Sequence, residues 1–372
     1  MNDSTMLFED LVNPEVLTVQ PYVPGKPIDE LKREMRISYV TKLASNENPL
    51  GSSLKISTGL IAMSNEISRY PDGSSFALRE KLAQFIQKPM DWVTIGNGSN
   101  ELLELVARVF AGRGDEIIYS QYGFAVYPIS AQVVGATGVE VPAKEFGHDL
   151  EAILNAINEK TKLIYLANPN NPTGTYFDKE TWEDFISQVP EKVIVVLDEA
   201  YFEYAQDLCP PGTYANGLDY VEDYPNLLVS RTFSKVYGLS SLRVGYMVGY
   251  PQVLDYINRL KQPFSVNSYA QAAAMISLTD PQFVKKSLLT NSQGMRQITD
   301  FLNSKSIDFI PSVANFVTVN LGDKALELNQ KLLQEGVIVR PLAGYQMQEY
   351  LRVSIGTNVE NRHFLGALNK LL

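Results

Sequence analysis

Lys235 closes the run Arg231-Thr232-Phe233-Ser234-Lys235, Arg243 follows eight residues later, and Asp198 begins Asp198-Glu199-Ala200-Tyr201 upstream. A lysine amine condenses with an aldehyde to a Schiff base. A buried aspartate holds a pyridine nitrogen protonated, which makes the ring an electron sink, and an arginine neutralises a phosphate. Pyridoxal phosphate carries all three groups on one small ring, so the trio reads as a site for that cofactor. Each residue alone has a plainer reading: Lys235 as an amphipathic surface lysine beside Val236-Tyr237-Gly238-Leu239, Asp198 as a helix cap or metal ligand. Together they point to the cofactor. Partial desolvation beside Arg243 would favour a neutral, nucleophilic Lys235 amine, and the same amine is placed to shuttle a substrate proton.

Other segments extend this chemistry. Gly96-Asn97-Gly98-Ser99-Asn100 joins a strand to an amphipathic helix, and open backbone N–H groups at a helix start suit a phosphate. A dinucleotide fingerprint would place a third glycine at 101, but that residue is Glu101. Asn168-Pro169-Asn170-Asn171-Pro172-Thr173-Gly174 has the composition of a tight turn; its functional reading is an amide, Asn171, aimed at the cofactor's ring oxygen. Tyr201, three residues past Asp198, is placed to donate to the same oxygen. Arg352 in an alternating strand and Arg340 at the end of another are solvated arginines by default. On neighbouring strand ends they would clamp an anionic substrate group.

Between residues 92 and 250 short apolar runs alternate with helical ones. Strands are expected at 92–95, 116–120, 133–141, 163–167, 193–197, 227–230 and 244–248. Runs such as Leu-Ile-Tyr-Leu-Ala lack polar alternation, so they belong to a mostly parallel sheet buried on both faces. After Gly98, apolar residues at 102, 105, 106, 109 and 110 mark a helix capped by Ser99 or Asn100 and stopped by Gly112 and Gly114. Beyond Pro251 the pattern predicts helices at 252–262, 270–279 and 281–304. Strands near 315–320, 337–340 and 350–354 follow, then a helix from Val359. The Pro-rich start, with an amphipathic piece at 28–35, reads as an arm. The expected division is 1–40 arm and part of the small domain, 41–250 large cofactor-binding domain, and 251–372 small domain. Residues 205–226, rich in Pro and Gly, make a long connection holding a short helix.

The 372 residues suffice for a large core, and 45% hydrophobic with 20% charged residues is ordinary for a globular protein. A net charge of -10 excludes bulk binding to nucleic acid or anionic membrane. The one cysteine, Cys209, rules out an intrachain disulfide framework and suits a reducing cytoplasm. The first twelve residues show no basic stretch followed by an apolar run, so no signal peptide is expected. No apolar run approaches the ~20 residues of a membrane span. With only His148 and His363, both read as surface residues, metal-binding chemistry is not expected.

Taken together these segments resemble the fold-type I pyridoxal-phosphate aminotransferases and, within them, the histidinol-phosphate aminotransferases. The match runs from Tyr22-Val23-Pro24-Gly25-Lys26-Pro27 to the last helix. It is carried by Leu43-Ala44-Ser45-Asn46-Glu47-Asn48-Pro49-Leu50-Gly51, Arg69-Tyr70-Pro71-Asp72, the Asn168 to Gly174 turn, Arg231 to Lys235, and Gly336 to Leu342. The resemblance implies an α/β fold with a mostly parallel seven-stranded sheet between helices, a smaller α+β domain and an N-terminal arm. It implies that Lys235 carries pyridoxal 5'-phosphate, Asp198 pairs with the ring nitrogen, Asn171 and Tyr201 bond the ring oxygen, and Tyr122 stacks on the ring. Ser99, Asn100, Thr232, Ser234 and Arg243 would hold the phosphate, with Tyr70 reaching in from the second subunit of a homodimer. Arg352 would grip the substrate's anionic end, assisted by Arg340, Tyr22 and Asn46. The implied reaction moves an amino group between histidinol phosphate and 2-oxoglutarate in histidine biosynthesis. Aromatic aminotransferases and phosphothreonine-type decarboxylases share these motifs and remain alternatives. A sensor domain of a transcriptional regulator would add a basic DNA-binding module, which is absent ahead of Tyr22.

Overall fold

Seven strands form the central sheet of the structure, a computed structural model that describes residues 11–20 and 25–372. They are β1 Val93–Gly96, β2 Glu116–Ser120, β3 Thr137–Val141, β4 Thr161–Ala167, β5 Ile194–Asp198, β6 Leu227–Thr232 and β7 Gly245–Gly249. Their spatial order is β1-β7-β6-β5-β4-β2-β3. Pairing is parallel from β6 through β3, and β7 alone runs antiparallel to its two neighbours. Along β4, Leu163 and Tyr165 enter the core on one face while Ile164 and Leu166 enter the core on the other; β5 divides its residues likewise. Two buried faces demand apolar residues at every position, which is why these runs show no alternation.

The expected strands form with ends moved by a residue or two, except the run 133–141. Val133 and Val134 instead finish the helix Val126–Val134, whose inner face buries Tyr127, Ser130 and Ala131. Gly135, at φ 73°, ends that helix in the left-handed conformation before β3 begins. The helix Ser99–Phe110 buries Leu102, Leu105 and Val106 as its period predicts. Its cap is Gly98, at φ 80°, and not a Ser99 or Asn100 side chain.

A second, antiparallel sheet contains β8 Phe309–Ile310, β9 Phe316–Asn320, β10 Arg340–Pro341 and β11 Tyr350–Ser354, in the order β10-β11-β9-β8. Val317, Val319, Leu351 and Val353 pack there against Leu332, Phe364 and Leu368 from the helices that cover it. Thr41–Lys42 pairs in parallel with Val337–Ile338, and the helix Ile28–Met35 buries Leu31 against Ala44, Leu333 and Ile338. Packing crosses both boundaries drawn from the sequence. Leu43 joins the core of the second sheet, while Ala270, Ala273 and Ala274 of the helix Ser268–Ser277 join the first. The helix Pro281–Ser304 spans the two, with Val284 and Leu288 against one core and Met295, Ile298 and Leu302 in the other.

The carboxyl ends of β4, β5 and β6 share one edge of the large sheet. Gly96 at the end of β1 lies there too, because it pairs with Gly245, which in turn pairs with Thr232. Open α/β sheets bind ligands at such an edge.

Candidate functional site

A cavity of about 360 Å³ opens at that edge, and most of the residues singled out from the sequence line it. Ser99 and Asn100 come from the helix start, Thr232 from the end of β6, and Ser234 and Arg243 from the segment following it. Arg243 Nη1 donates to Ser234 Oγ at 3.2 Å and to the Ser240 carbonyl at 3.1 Å. Space here is tight: a Cβ on Gly98 would sit 2.4 Å from Arg243 Nη2, and one on Gly245 2.5 Å from the Ser99 nitrogen. The glycines keep backbone N–H groups and a guanidinium close together, an arrangement suited to phosphate. Glu101, in the place of a third glycine, accepts from the Asn97 N–H at 2.6 Å and from the Ser265 hydroxyl at 3.2 Å, so it braces the loop.

Asp198, Tyr201, Lys235 and Asn171 also line the cavity. Asp198 ends β5 and is buried. Its Oδ2 accepts a hydrogen bond from Tyr127 Oη at 3.0 Å, and its buried Oδ1 makes no hydrogen bond of normal geometry among the described residues. Burial pushes this carboxyl up to about 6; Tyr127, the Ala200 N–H and the Lys235 charge pull it the other way. Lys235 Nζ lies 3.5 Å from the Ser45 carbonyl and 5.4 Å from the Tyr201 ring centroid. Asn171 sits in a turn that contains cis bonds at Asn168–Pro169 and Asn171–Pro172. Its Oδ1 accepts from Arg352 Nη1, which leaves the amide N–H groups as what Asn171 offers the cavity.

Arg352 and Asn46 line the cavity as well. Arg352 Nη2 donates to the Ala44 carbonyl at 2.8 Å, and its guanidinium carbon lies 5.3 Å from the Phe316 ring centroid. Asn46 Nδ2 donates to Tyr201 Oη at 2.9 Å. Burial raises the Tyr201 phenol above its ordinary value, opposed by the Arg352 charge and the Asn46 hydrogen bond.

Two expectations fall differently. Tyr122 does not line the cavity; its ring lies 6.0 Å from Phe146 and packs toward Ile310, Leu342 and Met347. Phe124, two residues on, lines the cavity instead. Tyr122, at φ 59°, sits inside the turn that the Gly123 N–H closes on the Ser120 carbonyl, and Phe124 follows that turn. Arg340 stands opposite Arg352 in the ladder but is not part of the lining. Tyr70 is 83% exposed, away from this chain's own cavity, and stacks on Phe264 at 4.8 Å. Tyr22 lies outside the described residues.

The histidines are not simple surface groups. His148 Nε2 bonds the Ala167 carbonyl at 2.8 Å, and burial pushes its pKa down to about 4. His363 bonds Thr41 Oγ1 at 2.8 Å and the Glu335 carbonyl at 3.1 Å. Among the described residues no group of His, Cys, Asp and Glu is arranged to hold a metal, and no helix is long and apolar enough to cross a membrane.

Sequence reasoning missed Tyr127 and the pair behind the site. Arg231 Nη2 donates to Glu199 Oε2 at 2.6 Å and to Asn216 Oδ1 at 2.7 Å, and Glu199 Oε1 accepts the Gly217 N–H at 2.8 Å. The Pro/Gly-rich connection is thereby tied to the ends of β5 and β6. It contains the end of the helix Phe202–Leu208 and a single 3₁₀ turn, Gly217–Asp219.

Residues 38–368 match the family model described as Aminotransferase class I and II. Histidinol-phosphate aminotransferase 2 of Hydrogenovibrio crunogenus is 59% identical over 370 residues, covering 99% of this chain and 98% of that one. Histidinol-phosphate aminotransferase 2 of Pseudomonas fluorescens is 51% identical over 367 residues, with 98% of both chains covered. The crystal structure of histidinol-phosphate aminotransferase from Sinorhizobium meliloti in complex with pyridoxal-5'-phosphate is similar at a TM-score of 0.86 and 24% identity. That alignment covers 97% of this chain and 98% of the other. At that identity the likeness establishes the fold.

Proposed function

The chain belongs to the class I and II aminotransferases, and from there we propose that it transfers an amino group between L-histidinol phosphate and 2-oxoglutarate, using pyridoxal 5'-phosphate held on Lys235. The observation that carries the substrate is the 59% identity, over nearly the full length of both chains, to a histidinol-phosphate aminotransferase. The residues present fit the cofactor. Asp198 brings a buried carboxylate oxygen in need of a partner, which a pyridinium N–H satisfies. Gly98 and Gly245 keep open a cradle that a Cβ would fill.

When bound, pyridoxal phosphate supplies an electron sink that makes the substrate's α-proton removable. Lys235 Nζ holds the cofactor and then takes and returns that proton. Asp198 stays ionised against the ring nitrogen. Asn171 and Tyr201 direct donors at the ring oxygen, and Phe124 offers an apolar face to the ring. Ser99, Asn100, Thr232, Ser234 and Arg243 hold the phosphate through N–H, O–H and guanidinium donors. Arg352 binds the oxyanion of either substrate, since phosphate and carboxylate both match a guanidinium fork.

A homodimer fits the exposed, stacked aromatic pair Tyr70 and Phe264, with Ile67 and Leu260 a turn earlier in each segment also exposed, because a monomer seldom displays such apolar groups together. In that dimer Tyr70 would serve the partner's phosphate site. A cytoplasmic setting fits the single cysteine, Cys209, a buried free thiol pushed up to about 11 by burial.

The test is to mix the yellow protein with histidinol phosphate, and separately with phenylalanine, without a keto acid, and to follow the visible spectrum. Loss of the lysine-bound cofactor's band at far lower histidinol phosphate than phenylalanine is the expected result. A preference for phenylalanine would move the assignment to aromatic aminotransferases, and carbon dioxide release to a decarboxylase.

A further inference from the structure

Ser354 is buried on β11, two residues beyond Arg352, and does not line the cavity. Among the described residues its hydroxyl makes two hydrogen bonds, both to Asn46. Oγ accepts from the Asn46 backbone N–H at 2.8 Å and donates to Asn46 Oδ1 at 2.8 Å. A hydroxyl has a single proton, and a backbone N–H can only donate. The Ser354 proton therefore goes to the amide oxygen. Were the amide reversed, Asn46 would offer that proton a donor in place of an acceptor, and Oδ1 would face Tyr201. Ser354 thus selects the amide orientation in which Nδ2 points at Tyr201 Oη, 2.9 Å away.

An amide nitrogen cannot accept a hydrogen bond. Tyr201 Oη is therefore an acceptor toward Asn46, and its own proton is left for an acceptor inside the cavity. The frame is rigid: Asn46 is held at φ 55°, and its carbonyl accepts from Asn315 Nδ2 at 3.0 Å. Ser354, Asn46 and Tyr201 are all buried, where an unmade hydrogen bond is costly and the direction of each bond is well defined.

We propose that Ser354 is a positioning residue which, through the Asn46 amide, makes Tyr201 present its proton and not its lone pair to the ring oxygen of the cofactor. This rests on the cofactor assignment made above. A donor at the ring oxygen withdraws electron density from the ring, so the nitrogen of cofactor-linked Lys235 loses its proton at lower pH. Removing the donor keeps that nitrogen protonated to higher pH.

The experiment is a pH titration of the visible band of the holoenzyme, without substrate, for wild type, Ser354→Ala, Tyr201→Phe and the double variant. Ser354→Ala is expected to move the midpoint upward by about half a pH unit or more, and Ser354→Thr, which keeps the hydroxyl, to bring it back. In the Tyr201→Phe background Ser354→Ala is expected to add nothing. An unmoved midpoint in Ser354→Ala overturns the proposal, and so does an equal shift with Tyr201 absent, since the serine would then act by another route. If Ser354→Ala fails to fold, Ser354→Cys, with a weak donor of similar size, is titrated against the same two criteria. A wild-type protein that shows no band after addition of pyridoxal phosphate refutes the cofactor assignment itself, a result distinct from an unmoved midpoint.

Discussion

Tyr127→Phe removes the side-chain hydrogen bond that Asp198 receives while keeping the ring, which stacks on Tyr165 at 4.8 Å and 4°. The phenol donates to Asp198 Oδ2 at 3.0 Å in a buried setting. A hydrogen bond to a charged group contributes about 1.5–3 kcal/mol, and one pKa unit corresponds to about 1.36 kcal/mol. Asp198 already sits at about 6 because of its burial, with Tyr127 opposing that rise. Losing the phenol therefore raises it by roughly one to two further units. In the role proposed for it, Asp198 must be ionised to pair with a protonated ring nitrogen. At pH 7 the variant is then expected to bind pyridoxal phosphate about two- to tenfold more weakly than wild type, with the gap closing toward pH 9. Titrating apoprotein with cofactor across that range, by the visible band, measures this directly. Equal affinities at pH 7 would refute the idea that Tyr127 holds the carboxylate ionised. The same carboxyl has a stability consequence. Its folded pKa exceeds the unfolded value, so it stabilises the apoprotein below about pH 4 and that contribution is lost as pH rises through about 6. Apoprotein melting should accordingly show a larger cofactor-induced rise in Tm at pH 7.5 than at pH 5.

Lys235→Ala is expected to abolish turnover with the far-ultraviolet circular dichroism unchanged; substantial remaining transamination would place the nucleophile elsewhere. Arg352→Ala should raise KM for histidinol phosphate and for 2-oxoglutarate together, by about tenfold or more, and a rise for only one would show separate oxyanion sites. Arg231→Met strands Glu199, whose side chain is 0% exposed against 6% for Arg231. It should cost about 3–5 kcal/mol in urea unfolding. Adding Glu199→Met should recover much of that loss, and a double variant as unstable as the sum of the singles would show that the two charges do not act as a pair.

The chemistry was legible because it depends on residue type and order. Asp198 ends a strand whose uninterrupted apolar run already requires burial on both faces, Lys235 and Arg243 follow the strand beside it, and burial on both faces implies a ligand edge where such strands end. Boundaries were harder wherever apolar continuity concealed a change of period. Val133 and Val134 read as the start of a strand, yet a helix ends there because Gly135 takes a left-handed conformation.

What the sequence by itself determined is which groups are available and which edge of the sheet they reach. The tertiary structure decided which of them face the cavity and in what direction each hydrogen bond runs. Phe124, just past the turn that holds Tyr122, lines the cavity where Tyr122 does not, and Arg340 stays out although it pairs with Arg352 in the ladder. Tyr127 meets Asp198 across 71 positions of chain, and Ser354 meets Asn46 across 308. Contacts of that separation leave no periodic trace in sequence, because they exist only once two independently patterned elements have packed. Donor direction then follows from the few lone pairs and protons that burial leaves to be matched.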